Sequence, residues 1–436
     1  RDGPDGALWA GTLGGAARFR QADATWEPHL SDGPIVNGTQ RAAVDSRGVW
    51  FTTGNDLPPG SSRGVVLHFD GAAWSAITSG TTGGAFQEAD AFAILSDRSE
   101  RLWIGHCCLD DSPRPRIDRY DPATGVWDTP PAFNIVAIDQ APSGIVYAAG
   151  VEHENGVYAL DPASGALLDS LTPGNSAITS NNLRAVRFDS AGKGWFGTAF
   201  NGIDVWDGRG TPGHGDDLWV HHAVEPNNQV SSILVLGPQT AWIGTSGGAG
   251  RLENGTFTRV LTSLGNPGLP SPQVNDLALD SNGSVWIATS AGLARVDASG
   301  GGAIEVFTSR DGLVDDDLRA LAWDAQRGVL WVGTAHGISR VVPGTGGASS
   351  ITDATFVYPN PSRTSGSLKL GGIQNTLEGE IRDLAGNVIH RFRCDPASNE
   401  IWDLRRENGE PAPSGVYLVV LRDKFRSKTL RAAVVR

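Results

Sequence analysis

The feature that most constrains this chain is a short motif that recurs eight times. Its clearest copy is Gly328-Val329-Leu330-Trp331-Val332-Gly333-Thr334, after which a glycine leads into a second apolar run, Ile338-Ser339-Arg340-Val341. The earlier copies centre on Trp9, Trp50, Trp103, Tyr147, Trp195, Trp242 and Trp286, so the eight anchors lie 41, 53, 44, 48, 47, 44 and 45 residues apart. A period in this range belongs to solenoids, propellers or arrays, whose units cannot bury an apolar face alone. What lies between the anchors chooses among these. No long segment carries the 3.6-residue apolar period of a helix, and short β-branched and aromatic runs are bounded by Gly, Asp, Asn and Pro. Four short strands per period is the pattern of a propeller blade.

The unit Val274–Val306 shows the order most clearly. Strand A, Val274–Leu279, ends in the turn Asp280–Gly283; strand B is Ser284–Thr289, strand C Leu293–Val296 and strand D Ala303–Thr308. Asp-x-x-Gly turns recur at Asp45–Gly48 and Asp189–Gly192, where Gly supplies the positive φ that closes a hairpin. Asp70-Gly71 and Asn254-Gly255 do the same between strands C and D. Seven of the 14 tryptophans sit at the strand B anchor, and Trp26, Trp74, Trp127 and Trp219 sit in strand D. Tryptophans at repeat-equivalent positions pack one blade on the next. Eight anchors most simply make eight blades; seven blades plus a stray unit, or a longer ring cut at Arg1, are the alternatives, because the first copy begins at strand B and the last ends at strand C.

Charge narrows the partners. The net charge is −13, which argues against nucleic acid or an anionic membrane held by a general basic field. No apolar run approaches the roughly 18–20 residues needed to span a bilayer as a helix. The chain starts at Arg1 and contains no Met, so its first residue reads as a processed or truncated end. Of the three cysteines, Cys107 and Cys108 are adjacent and would close only a strained ring, while Cys394 lies far off; disulfides are not expected to frame the fold.

The repeat resembles the two-component-regulator propeller family through Leu8-Trp9-Ala10-Gly11-Thr12, Trp195-Phe196-Gly197-Thr198, Trp242-Ile243-Gly244-Thr245, Trp286-Ile287-Ala288-Thr289 and Trp331-Val332-Gly333-Thr334. The resemblance implies a propeller over about residues 1–343. Residues 344–351 read as a Gly/Ser-rich linker. From residue 352 to 436 about seven short strands are expected: Thr355–Tyr358, Ser367–Leu370, Leu377–Asp383, Val388–Arg393, Glu400–Leu404, Gly415–Leu421 and Ser427–Val435. This segment is similar to the immunoglobulin-like domain of the flagellar hook-capping family and to the C-terminal sorting domain of type IX secretion. The matching residues are Tyr358-Pro359-Asn360-Pro361, Asp383–Val388, Trp402-Asp403, Asn408-Gly409 and Ser414–Tyr417. Together these make the chain all-β, a propeller followed by an immunoglobulin-like β-sandwich.

Three catalytic-looking strings have plainer readings. Gly244-Thr245-Ser246-Gly247-Gly248 matches the serine-hydrolase elbow, but that motif needs a strand-to-helix turn and here it lies between strands B and C. Gly208–Gly213 matches a dinucleotide fingerprint but holds Pro212 and opens no helix. The Asn-Gly sequons at Asn37, Asn254 and Asn282 read as turn signals, the last two between strands. Asp204, Asp207, Asp216 and Asp217 flank a long loop without calcium-loop spacing, and Asp315-Asp316-Asp317 reads as turn chemistry leading into strand A. No catalytic, cofactor or metal residue is assigned.

One irregularity points to binding. In three consecutive repeats the B–C loop is enlarged: Thr53–Gly64, His106–Arg116 and Gly150–Asn155. B–C loops open on one face of a propeller, so the insertions converge on one sector of one rim, where function tends to sit. The candidate ligand or partner residues there are His106, Asp110, Asp111, Arg114, Arg116, Glu152, His153 and Glu154. The function expected is a non-catalytic binding or scaffold protein, secreted or at the cell surface, meeting a glycan or a surface protein. Two alternatives stand beside it. A carbohydrate-active propeller enzyme would use Glu152, His153 and Glu154 as its acid–base cluster. A subunit of an extracellular assembly would self-associate by strand addition through the C-terminal domain or the incomplete first blade.

Overall fold

The computed structural model describes the backbone of residues 8–12, 15–20 and 25–30, and then residues 38–54, 64–86, 90–107, 117–151, 156–209, 214–264, 268–343, 355–363, 366–373, 377–384, 386–394, 399–406, 408–422 and 427–435. Among them the one helical turn is a 3-10 turn at Ser309–Asp311; all other regular structure is β. Two compact units emerge, Arg1–Thr308 with Val314–Val341, and Ser309–Leu313 with Val342–Arg436.

Each sequence anchor is the second strand of an antiparallel sheet, or the first of the three described strands in the first repeat. The seventh repeat runs Val274–Leu279, Ser284–Thr289, Gly292–Asp297 and Glu305–Phe307, paired in that order. Its side chains explain the motif. Asp280 takes the backbone N–H groups of Asn282 and Ser284 on Oδ1 (2.8 and 2.9 Å), closing the A–B turn, and its Oδ2 accepts from Trp286 Nε1 at 2.9 Å. Asp97–Trp103 and Asp45–Trp50 repeat that bond at 3.0 and 2.9 Å. The threonine ending strand B closes the next turn: Thr289, Thr245 and Thr334 Oγ1 donate to the carbonyls of Gly292, Gly248 and Gly337 at 2.7, 2.9 and 2.8 Å.

The glycine before that threonine has a different duty. A Cβ on Gly105 would come 2.6 Å from Ile135 Cγ2, one on Gly197 would come 2.5 Å from Val230 Cγ1, and one on Gly244 would come 2.6 Å from Val274 Cγ1. In each case the neighbour begins the first strand of the next repeat, so the missing side chain is what lets consecutive sheets close up. Gly333, in the last repeat, stands in the same relation to Thr39, just before the first strand of the second repeat.

That contact closes a cycle. The first strands Arg41–Asp45, Ala91–Ser96, Ile135–Gln140, Leu183–Phe188, Val230–Gly237, Val274–Leu279 and Leu318–Asp324 each touch the next, and the last touches the first. Thr39 N and Oγ1 both donate to the Thr334 carbonyl, 295 residues away, at 3.0 and 3.1 Å. The apolar core is divided accordingly, one cluster per sheet interface. Trp242 and Leu261 pack with Val274, Val285 and Ile287, and across the closure Val49, Phe51 and Leu67 pack with Val329 and Trp331. The eight anchors therefore give eight sheets, of which seven join the cycle. The described strands of the first repeat, Leu8–Thr12, Gly15–Arg20 and Thr25–Leu30, correspond to B, C and D and include no inner strand to insert.

In the second unit, one sheet pairs Phe356–Tyr358, Leu368–Gly371 and Glu400–Trp402, and another pairs Ser362–Arg363, Ser427–Val435, Gly415–Arg422, Leu377–Arg382 and Val388–Cys394. They share one core, with Leu368, Leu370 and Trp402 from the first against Ile381, Val419, Leu421 and Val434 from the second. Period-two alternation appears as expected: Tyr417, Val419 and Leu421 are buried while Val416 is exposed. The seven expected strands lie within a residue or two of those observed; Ser362–Arg363, which pairs in parallel with Val434 and Val435, was not foreseen.

Candidate functional site at the channel mouth

Of the eight rim residues expected from the sequence, Asp110, Asp111, Arg114, Arg116, Glu152, His153 and Glu154 lie outside the described residues. His106 is described, and it faces inward. It is fully enclosed, its Nε2 3.1 Å from Asp118 Oδ2, with the Phe86 ring centroid 5.6 Å away. The reason is its place in the repeat. In Trp103-Ile104-Gly105-His106 the histidine occupies the position of the turn-closing threonine, so it belongs to the framework of the sheet. Its neighbour Cys107 is disulfide-bonded, although disulfides were not expected here, and Cys394 is buried and outside any disulfide.

A site does take shape where the inner strands begin. In six repeats the register slips at the second residue of the inner strand: Leu183 pairs with Thr198 and Ala185 with Gly197, leaving Arg184 between them unpaired, and the same shift falls at Phe92, Val136, Ser231, Asn275 and Arg319. Such bulges re-aim a side chain. Here several of them meet in a cavity of about 290 Å³, where Phe92, Val136, Arg184 and Ser231 line the wall with Arg41, Phe200, Gln229, Ser246 and Gln273. Below it a second cavity of about 70 Å³ shares Arg41, Val136, Arg184 and Ser231 and adds Arg187, Ser232 and Asp276.

The positions paired with the anchor glycines, or with Ala149 in the fourth repeat, are small, Ala93, Ala137, Ala185, Ser232 and Ala320; Asp276 and Arg41, opposite Ala288 and Thr52, break the pattern. Asp276 sutures three inner strands, accepting from Ser232 Oγ at 3.1 Å, from its own Leu277 N–H at 2.9 Å and from Leu321 N–H at 2.9 Å. Arg41 Nη1 donates to the Gln40 carbonyl at 2.9 Å and Arg187 Nη1 to the Val186 carbonyl at 2.8 Å. Among the described residues no carboxylate forms an ion pair with Arg41, Arg184 or Arg187. Burial pulls the Arg41 pKa below its ordinary value; Arg187 and Arg184 pull in the same direction, and Asp276 opposes them. Deeper in the channel wall, burial pushes the Asp139 carboxyl up, with Arg187 opposing, and its Oδ2 accepts the Phe188 N–H at 2.8 Å.

A larger cleft of about 650 Å³ runs between the fourth and fifth repeats, lined by Tyr147, Asp169, Trp206, Arg209, His214 and Asp217. Trp206 Nε1 donates to Asp217 Oδ2 at 2.7 Å, and His214 lies between Asp217 (3.1 Å from Nδ1) and Asp169 (3.3 Å from Nε2). Burial, followed by Asp169 and Asp217, pushes the Tyr147 hydroxyl up to about 12. The carboxylates weighed as a calcium cluster do not converge there. Asp204 holds Thr179 and His221, Asp207 lies 3.6 Å from Lys193, and Asp217 is engaged as described. Ser246 of the elbow-like string donates to Gln229 Oε1 at 2.7 Å in a two-residue hairpin, and Asp315 caps the Asp316 and Asp317 N–H groups of its own turn.

Comparison with known proteins agrees with the repeat. The family model for the two-component regulator propeller matches residues 268–291, which span the loop into the inner strand of the seventh repeat, that strand and the anchor strand after it. No curated protein matches the chain in sequence. Among solved structures, PorZ, an essential bacterial surface component of the type-IX secretion system of Porphyromonas gingivalis, superposes with a TM-score of 0.59 at 20% identity, covering 97% of this chain and 63% of PorZ. The extracellular domain of BT4673 of B. thetaiotaomicron, a hybrid two component system, gives 0.52 at 14% identity over 99% of this chain and 68% of that one. The present chain thus spans less than two thirds of PorZ, and at such identities the likeness is one of fold: an all-β chain built on propeller repeats.

Proposed function

We propose that this chain is a non-catalytic binding or scaffold module at the bacterial cell surface, with a seven-bladed propeller that offers its channel mouth to a partner. One observation carries the reading. Asp–Trp bonds in three repeats, and turn-closing threonines and packing glycines in several, form a shared framework, whereas the bulge residues at the mouth differ: Phe92, Val136, Arg184, Ser231, Asn275 and Arg319. A uniform framework carrying a non-uniform rim is how a rigid scaffold presents a binding surface. The fold likeness to PorZ and to the extracellular domain of BT4673 supports placement outside the cell.

The second unit we read as an immunoglobulin-like sandwich serving export, anchoring or assembly. Tyr417 donates its hydroxyl to the Pro413 carbonyl at 2.9 Å and meets Trp402 edge-on at 4.9 Å, the geometry of a tyrosine corner. The test is to label intact producing cells with a membrane-impermeant amine reagent and cross-link them. This reading expects labelling without lysis and a cross-link to a second surface component that weakens when Phe200 becomes Ala. Labelling only after lysis, or turnover of a polysaccharide by the purified chain, would overturn it.

A further inference from the structure

We infer that the channel mouth is an oxyanion site, built to take a carboxylate or phosphate carried on a small flat-faced group. The inference deepens the binding reading above and rests on it for the choice of face. In a chain of net charge −13, three arginines converge on one shaft. Arg184 is placed there by a register slip, Arg41 stands with Asp276 in a ring whose other members are small, and Arg187 lies just below. Among the described residues no carboxylate lies within ion-pair distance of any of the three, and the nearest influences are Asp276 on Arg41 and Asp139 on Arg187. The acid lining this cavity, Asp276, is engaged by Ser232, Leu277 and Leu321. Gathering like charges in a partly enclosed space costs free energy in the empty protein, and an anion would recover it. Guanidinium groups suit carboxylate and phosphate through their paired, planar donors.

The rest of the wall defines what carries the charge. Phe200 projects at the rim with 63% of its surface exposed, and Phe92 faces the same cavity. At about 290 Å³ the space lies near the lower limit of small-ligand pockets and admits one ring-sized group. A charged head would sit against Arg41 and Arg184, and a flat body against the phenylalanines.

The experiment is calorimetric titration of the full chain with phenyl phosphate, benzoate and the neutral benzyl alcohol, at two salt concentrations. At least one anion should bind, more weakly at high salt, and benzyl alcohol should bind at least about tenfold more weakly, since a charge-assisted hydrogen bond contributes about 1.5–3 kcal/mol. Preference for phenyl phosphate or for benzoate names the oxyanion. Arg184 is exposed, so Arg184→Gln should fold normally yet lose at least about tenfold in affinity, with Arg184→Lys recovering part of it. Arg340→Gln, an exposed arginine on the last described propeller strand, should leave affinity unchanged and so controls for net charge. Equal binding of alcohol and anions, no binding of either anion at millimolar concentration, or equal behaviour of Arg184→Gln and Arg340→Gln would overturn the inference. Each of these outcomes leaves surface labelling of cells untouched, so failure here is separable from failure of the surface reading.

Discussion

The two ends of the inner strands are built on opposite principles. At the A–B turn end, several repeats share one device: an aspartate gathers two backbone N–H groups, as Asp97, Asp189 and Asp280 do, and Asp97 and Asp280 also cap the buried Trp103 and Trp286. At the mouth end, the register slips and the side chains diverge from Phe92 to Arg184 to Asn275. Sameness marks duty to the ring, and divergence marks what the ring is for.

The largest effect should come from the packing glycines. Gly244→Val places its new atoms into Val274 and should cost about 3 kcal/mol or somewhat more in denaturant unfolding, at the upper end for overpacking, with loss of the propeller transition first. A cost below about 1 kcal/mol would mean the sheets are not held this closely. Next comes the turn. Asp280→Ala strands Trp286 Nε1 and two N–H groups and should cost about 2–3 kcal/mol. Asp189→Ala should cost less, because Asp189 Oδ2 and Trp195 Nε1 are both without partners in the fifth repeat. Equal costs would show that the Asp–Trp bond adds nothing to the turn.

Smaller effects probe the second unit and the channel wall. Tyr417→Phe removes one partly buried hydrogen bond and should cost about 1 kcal/mol. Asp139 has its pKa raised in the folded chain, so the native state holds the proton more tightly than the unfolded one, and this group's contribution to stability falls as pH rises from its unfolded value through its folded one. Asp139→Asn should therefore gain stability relative to the parent as pH rises through the mildly acidic range, read as a Tm difference; a difference that shrinks with pH would contradict the assignment. Smallest of all, Arg184→Gln should change unfolding stability by no more than about 0.5 kcal/mol while changing ligand affinity.

Much of the framework was legible because it is periodic. Trp103, Trp242 and Trp286 announce the second strand of their sheets, Asp-x-x-Gly marks the turn before Trp50, Trp195 and Trp286, and alternation through Tyr417–Leu421 marks a half-buried strand. The mouth was not legible for a physical reason. A one-residue bulge reverses which side chains face the channel, and nothing local in Leu183-Arg184-Ala185 signals it. Closure was hidden too, because it joins Thr39 to Thr334 across almost the whole propeller. His106 misled by standing at the start of a long loop; its alignment with Thr198 and Thr245 was the available sign that it belongs to the framework.

The claim on which the rest depends is that the last repeat closes onto the second, making a seven-sheet ring. A double-mutant cycle on Gly333 and Thr39 measures that contact directly. Gly333→Ala should destabilise the chain, and Thr39→Ala in the same background should recover part of the loss, giving a coupling of about 1 kcal/mol or more. Effects that simply add, to within about 0.5 kcal/mol, would mean the two residues do not meet and the ring is not closed there.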